Sequence, residues 1–138
     1  MPHVTDIEII FQNIRQKAPK IHCLTNPVTM QDVANLLLAA GGSAVMGQNE
    51  KEAAEITGFC QGTLLNTGVP DEAKINACIL AGKKANALRH PVVLDPVGVG
   101  ASAFRRKTIK NLLAQVHPDL IRCNQEEAAV LCSLFSDR

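Results

Sequence analysis

Pro91-Val92-Val93-Leu94-Asp95-Pro96-Val97-Gly98-Val99-Gly100-Ala101-Ser102 contains a strand, a turn and the cap of a helix. Residues 92–95 are apolar until the last position, which is a carboxylate. Gly98 and Gly100 suit a tight turn, and Ser102 is placed to cap the helix that follows. A strand that carries a carboxylate to a loop of backbone N–H groups, beside a helix N-terminus, can hold a cation and a phosphate together.

The same strand–turn–helix alternation extends in both directions from this stretch. Ile7, Ile10, Phe11 and Ile14 recur at helical spacing, which predicts a helix over 5–17. Short apolar runs predict further strands at 21–25, 43–46, 63–66 and 120–122. Between them, helices are predicted from a Thr29 cap to position 40, over 50–58 after an Asn49 cap, from Pro70 to 88, over 103–116 and over 125–133. Such alternation implies right-handed βαβ units. The predicted fold is therefore α/β: three layers, a mainly parallel sheet, and helices on both faces. With 138 residues, no linker and no repeat, 1–138 reads as one domain.

Composition narrows the functions. Net charge is +1, which argues against nucleic acid or an acidic membrane as an obligatory partner. There is no Trp or Tyr for stacking on bases. The N-terminus has no signal-peptide pattern, and no apolar run reaches about 18 residues, so no membrane span is expected. Five cysteines without a C-x-x-C pair argue against a disulfide framework or a zinc site and suit a reducing cytoplasm.

Polar residues gather where the predicted strands end: Thr25-Asn26, Asn66-Thr67-Gly68, Asp95 and Arg122-Cys123-Asn124, with Met46 ending the second strand. Ligands of open parallel sheets bind at those ends. Asp95 reads either as a cap of the turn before Pro96 or as a magnesium ligand. Glu127 reads either as a first-turn acid that favours the helix dipole or as a second carboxylate for the same ion. Arg122, ending an apolar strand, needs an anion, from a phosphate or an internal carboxylate. His22 reads as structural. Gly98-Val99-Gly100-Ala101-Ser102-Ala103 also fits a dinucleotide fingerprint with Asp119 as its acidic partner, although the motif belongs after a first strand and here follows the fourth.

Five motifs together resemble the hydroxyethylthiazole kinase family, within the ribokinase-like fold. They are Ile21-His22-Cys23-Leu24-Thr25-Asn26, Gly41-Gly42-Ser43-Ala44-Val45-Met46, Leu64-Leu65-Asn66-Thr67-Gly68, residues 93–101, and Ile121-Arg122-Cys123-Asn124. The resemblance implies transfer of the ATP γ-phosphate to the alcohol of 4-methyl-5-(2-hydroxyethyl)thiazole with Mg²⁺, in thiamine biosynthesis or salvage. It implies that Asn26, Val28, Met46 and Gly68 line the thiazole pocket, that Arg122 and Asn124 bind ATP, and that Asp95 and Glu127 lie at the metal. It also implies a homotrimer with thiazole bound between subunits. Cys123 departs from the family's usual Gly and is expected to crowd the nucleotide crevice. The family's Gly-Thr-Gly-Cys-like anion hole and its base have no counterpart within 1–138, which reads as the N-terminal portion of such a kinase, truncated after about five strands. No catalytic residue is therefore expected here, and an apolar sheet edge and helix faces are expected to be exposed. The competing reading is a non-catalytic fragment that binds ligand or associates with other chains.

Overall fold

Every connection between strands is long enough to hold a helix, so each strand can return parallel to the last. A computed structural model describes residues 4–136. In chain order the elements are α1 (Val4–Lys17), β1 (Lys20–Leu24), α2 (Met30–Ala40), β2 (Ser43–Met46), α3 (Ala53–Phe59), β3 (Gly62–Asn66), α4 (Glu72–Leu88), β4 (Val92–Asp95), α5 (Ala103–Leu113), β5 (Leu120–Ile121) and α6 (Gln125–Phe135). The strands form one sheet in the order β2-β1-β3-β4-β5, and every neighbouring pair is parallel.

The order sets the layers. The connection through α2 steps the chain one way along the sheet, and those through α3, α4 and α5 step it the other way. Right-handed crossovers therefore place α2 on one face and α3 to α5 on the other. Strand burial follows this division. Leu24, Leu65, Val92 and Leu94 are fully buried with Ile75 and Cys78 of α4, Leu112 of α5 and Val116 beyond it. On the opposite face, toward α2, Cys23 is buried but Ile21, Leu64 and Val93 are only half-buried. A smaller cluster joins Val99, Ile109 and Leu131 to Leu113, Cys123, Val130 and Leu134. Cys123 thus packs into the apolar seam of α5 and α6.

Several helix starts differ from the sequence reading. Thr29 makes no side-chain cap bond to α2. Asn26 takes that role one turn earlier, its Oδ1 accepting the N–H groups of Val28 at 3.0 Å and Thr29 at 3.3 Å. Asn49 Oδ1 accepts from Lys51 N at 2.9 Å and shapes a turn, so α3 begins only at Ala53. Asp71, not Pro70, sets the start of α4, accepting from Lys74 N at 2.8 Å. Ser102 does cap α5, accepting from Arg105 N at 3.1 Å. β5 is shorter and more open than its sequence suggests: Leu120 is 59% and Ile121 39% exposed.

Candidate functional site

The carboxyl ends of β1, β3, β4 and β5 carry a row of polar side chains. Asn66 and Asp95 are register partners on adjacent strands, and Thr67 N donates to the Asp95 carbonyl at 3.0 Å. Asn26, just beyond β1, donates its Nδ2 to Asn66 Oδ1 at 2.9 Å, and the same oxygen accepts Gly68 N at 2.9 Å. Arg122, just beyond β5, reaches Asp95 Oδ2 at 3.2 Å. These residues, with Val28, Val97, Gly68 and Arg105, line a cavity of about 370 Å³. Gly68 is there because nothing larger fits: a Cβ would lie 2.7 Å from Asn26 Nδ2 and 3.0 Å from Asn66 Oδ1.

Asp95 is the chemical centre of this row. Its Oδ1 is buried and has no hydrogen-bond partner. Burial pushes the carboxyl pKa up, and the nearby Glu127 adds to that, against the opposing pull of Arg122 and the Asn66 amide. The Arg122 side chain is 74% exposed, so this ion pair is a weak, screened one. The anion that Arg122 meets is thus the internal carboxylate of Asp95. Asp95 does not cap the turn, since no backbone N–H reaches its side chain.

The turn after β4 is held from both sides. Gly98 has φ +62, a left-handed conformation that favours glycine. Its N–H donates to Glu127 Oε1 at 2.9 Å. Glu127 Oε2 accepts Asn124 N at 3.0 Å, while Asn124 Oδ1 accepts Glu127 N at 2.8 Å, a reciprocal capping box at the start of α6. Arg105 Nη1 donates to the Val97 carbonyl at 2.9 Å. On the far side of the turn, Gly98, Gly100, Asn124 and Glu127 line a second depression of about 460 Å³. Arg122 and Asn124 thus face different hollows.

Among the described residues, no group of three or more His, Cys, Asp or Glu side chains converges. A metal here would rest on Asp95 Oδ1, with water and phosphate oxygens filling its other positions, which is the usual habit of Mg²⁺. Glu127 has both oxygens engaged by N–H groups and would act on the hydrated ion from outside. Asp119 Oδ2 accepts Val92 N at 2.8 Å, which puts it at the opposite, amino-terminal edge of the sheet from the glycine turn. It is not placed to hold the ribose of a dinucleotide.

Of the residues singled out in the sequence, Asn26, Val28, Gly68, Asp95 and Arg122 come together in one cavity. Met46 ends β2 opposite Cys23 and is outside that lining. The loop after it is tied by His22, whose Nε2 lies 2.7 Å from the Gly47 carbonyl and whose Nδ1 lies 2.8 Å from Thr57 Oγ1. Burial lowers the His22 pKa, which suits a neutral ring that donates to Gly47. Asn66 stands in the sequence reading only among the polar strand ends and the family motifs, with no role of its own, while Arg105 looks there like a surface residue in a helix's first turn. The buried Lys74, outside that lining, has no place in the sequence reading either: its ammonium donates to the Gly68 carbonyl, and burial lowers its pKa.

A model of the hydroxyethylthiazole kinase family matches residues 11–136. A hydroxyethylthiazole kinase of Clostridium acetobutylicum is 48% identical over 120 residues, 87% of this chain and 44% of that protein. One of Lysinibacillus sphaericus is 44% identical over 126 residues, 91% of this chain and 49% of that protein. The solved hydroxyethylthiazole kinase structure from Pyrococcus horikoshii superposes with a TM-score of 0.89 at 33% identity, covering 94% of this chain and 51% of that one. The chain thus spans about half the length of the curated relatives it matches. A receiver domain of a Pseudomonas aeruginosa sensor histidine kinase, at 14% identity and TM-score 0.56, shares the fold alone.

Proposed function

This chain belongs to the hydroxyethylthiazole kinase family, and from that membership we propose that it serves the transfer of the ATP γ-phosphoryl group to the primary alcohol of 4-methyl-5-(2-hydroxyethyl)thiazole. The observation that carries this reading is the buried, unpartnered Asp95 Oδ1 in a cavity at the strand ends, between an amide row and an exposed arginine. Asn26 and Asn66 offer amide groups to the polar atoms of the thiazole alcohol. Val28 is 80% exposed at the rim and offers an apolar surface for the ring. Gly68 lets the ligand approach the backbone. Arg122, whose side chain is 74% exposed, can turn toward a phosphate. Asn124 is assigned with it to ATP.

Asp95 is the residue that would hold Mg²⁺. When bound, the ion would offset the charge of the phosphate oxygens. Glu127 keeps the Gly98 turn and the start of α6 in place around it. Met46 stands outside the cavity and joins the substrate set if subunits of a trimer share their pockets.

Positioning and charge stabilisation dominate phosphoryl transfer. Residues 1–138 offer the alcohol and metal groups, while the family's glycine anion hole and base have no counterpart among them. ADP release by purified 1–138, measured with and without the thiazole alcohol, is expected to show no alcohol-dependent turnover. Turnover near about 1–100 per second would mean that these residues carry a complete phosphate site.

A further inference from the structure

A lysine is seldom buried unless its charge has a partner. Lys74, in the first turn of α4, is only 5% exposed, and its ammonium donates to the Gly68 carbonyl. The Gly68 N–H is engaged as well, donating to Asn66 Oδ1, the oxygen that accepts Asn26 Nδ2. A chain of hydrogen bonds thus runs from Lys74 through Gly68 and Asn66 to Asn26, and the last three line the strand-end cavity.

The next residue shows why that carbonyl is held. Val69 lines the same cavity with φ +49, a left-handed conformation that is costly for a β-branched side chain. The other non-glycine residues with positive φ among those described, Ala18 and Arg89, follow the ends of α1 and α4. Strain of this kind persists only where the surroundings enforce it. The Gly68 carbonyl belongs to the peptide whose orientation sets φ of Val69, so a donor fixed on it enforces the conformation. The opposite wall has the same device. Arg105 of α5 donates to the Val97 carbonyl, and the next residue, Gly98, has φ +62. Glycine adopts that conformation freely, whereas at position 69 a valine stands at the cavity rim, 57% exposed. We propose that Lys74 is a positioning residue: by holding the Gly68 carbonyl it keeps Val69 left-handed and presents the Val69 side chain and the Asn26–Asn66 pair to the bound alcohol. The ligand in this statement rests on the thiazole-alcohol reading; the hold on Gly68 does not.

The hold depends on a proton, because a neutral amine is a weaker donor than an ammonium. Burial lowers the Lys74 pKa; Cys78 and Asp71 oppose the shift and Arg105 adds to it. Glu50 and Lys51, before α3, line the hollow that Lys74 and Asp71 also border. NMR of residues 1–138 with isotope-labelled glycine carbonyls reads the hold without any ligand. The Gly68 signal should move in a step as pH rises, with its midpoint below that of an ordinary lysine, and the step should be absent from Lys74→Met. Calorimetric titration with the thiazole alcohol should give an affinity about tenfold lower in Lys74→Met, the size of one lost hydrogen bond. Wild-type affinity should fall over the same pH span as the Gly68 step. Val69→Gly, which needs no enforcement, should melt no lower than the wild type, and adding Lys74→Met to it should cost little further affinity. A Gly68 signal without the step, or with the same step in Lys74→Met, would overturn the proposal. So would unchanged affinity in Lys74→Met, or an equal loss with valine and glycine at position 69. If the wild type bound no thiazole alcohol, the thiazole reading would fall, and the Gly68 signal would decide the hold by itself.

Discussion

At the scale of single residues, stability and function pull against each other at Asp95. Its folded pKa lies above the ordinary carboxylate value, chiefly through burial. The folded chain therefore binds this proton more tightly than the unfolded one, and the site favours folding most at low pH. That contribution is lost as pH rises through the raised folded value. Asp95→Asn should thus raise the melting temperature at pH 7 by a few degrees, with the gain shrinking as pH falls into the carboxylate range. Magnesium-dependent nucleotide binding should be lost in the same variant; thermal scans across pH and a magnesium titration check the two halves. A lowered melting temperature at pH 7 would mean that the Arg122 pair outweighs the burial of the charge. Gly68→Ala is expected to act differently. A Cβ would press on Asn26 Nδ2 at 2.7 Å and part the Asn26–Asn66 pair. Thiazole-alcohol affinity should fall about tenfold, the size of one lost hydrogen bond of about 1.4 kcal/mol. Calorimetric titration of wild type and variant measures this.

At the scale of elements, what was legible in the sequence is what depends on local pattern. The apolar run ending in Asp95, the Gly98 turn and the Ser102 cap lie within one short stretch, and all three stand as read. The caps at Thr29 and Asn49 did not: Asn26 binds the N–H groups before α2, and Asn49 closes its own turn to Lys51, so α3 starts only at Ala53. The role of Asn66 and the presence of Lys74 are not legible for a related reason: they rest on contacts to Asn26 across the sheet and to Gly68 across a turn, which spacing does not show. Packing between elements is equally silent in sequence. Gly82 of α4 meets Val116, whose Cγ1 would lie 2.5 Å from an added Cβ. Val116 is fully buried and cannot retreat. Gly82→Ala gains about 1 kcal/mol of helix propensity and loses about 1–3 kcal/mol by overpacking. The denaturation midpoint should therefore fall, and a rise would show that the α4–Val116 contact has slack.

At the scale of the molecule, the sheet order gathers amides, a carboxylate and an arginine from segments nearly a hundred residues apart into one cleft. No metal-binding cluster and no helix long and apolar enough to cross a membrane occurs among the described residues. Three of the cysteines are buried thiols; burial pushes Cys23 up to about 11 and Cys78 up to about 12, which makes them inert at neutral pH. The chemistry of the chain is therefore concentrated at the strand ends, where the thiazole alcohol should bind even without ATP. Two-dimensional amide NMR of residues 1–138, titrated with 4-methyl-5-(2-hydroxyethyl)thiazole, reports on that site residue by residue. Shifts should be saturable and centred on the side-chain amides of Asn26 and Asn66 and the backbone N–H of Gly68. Unchanged spectra at saturating ligand, or shifts confined to the Gly98–Asn124 side of the turn, would contradict a thiazole-alcohol site in this cleft.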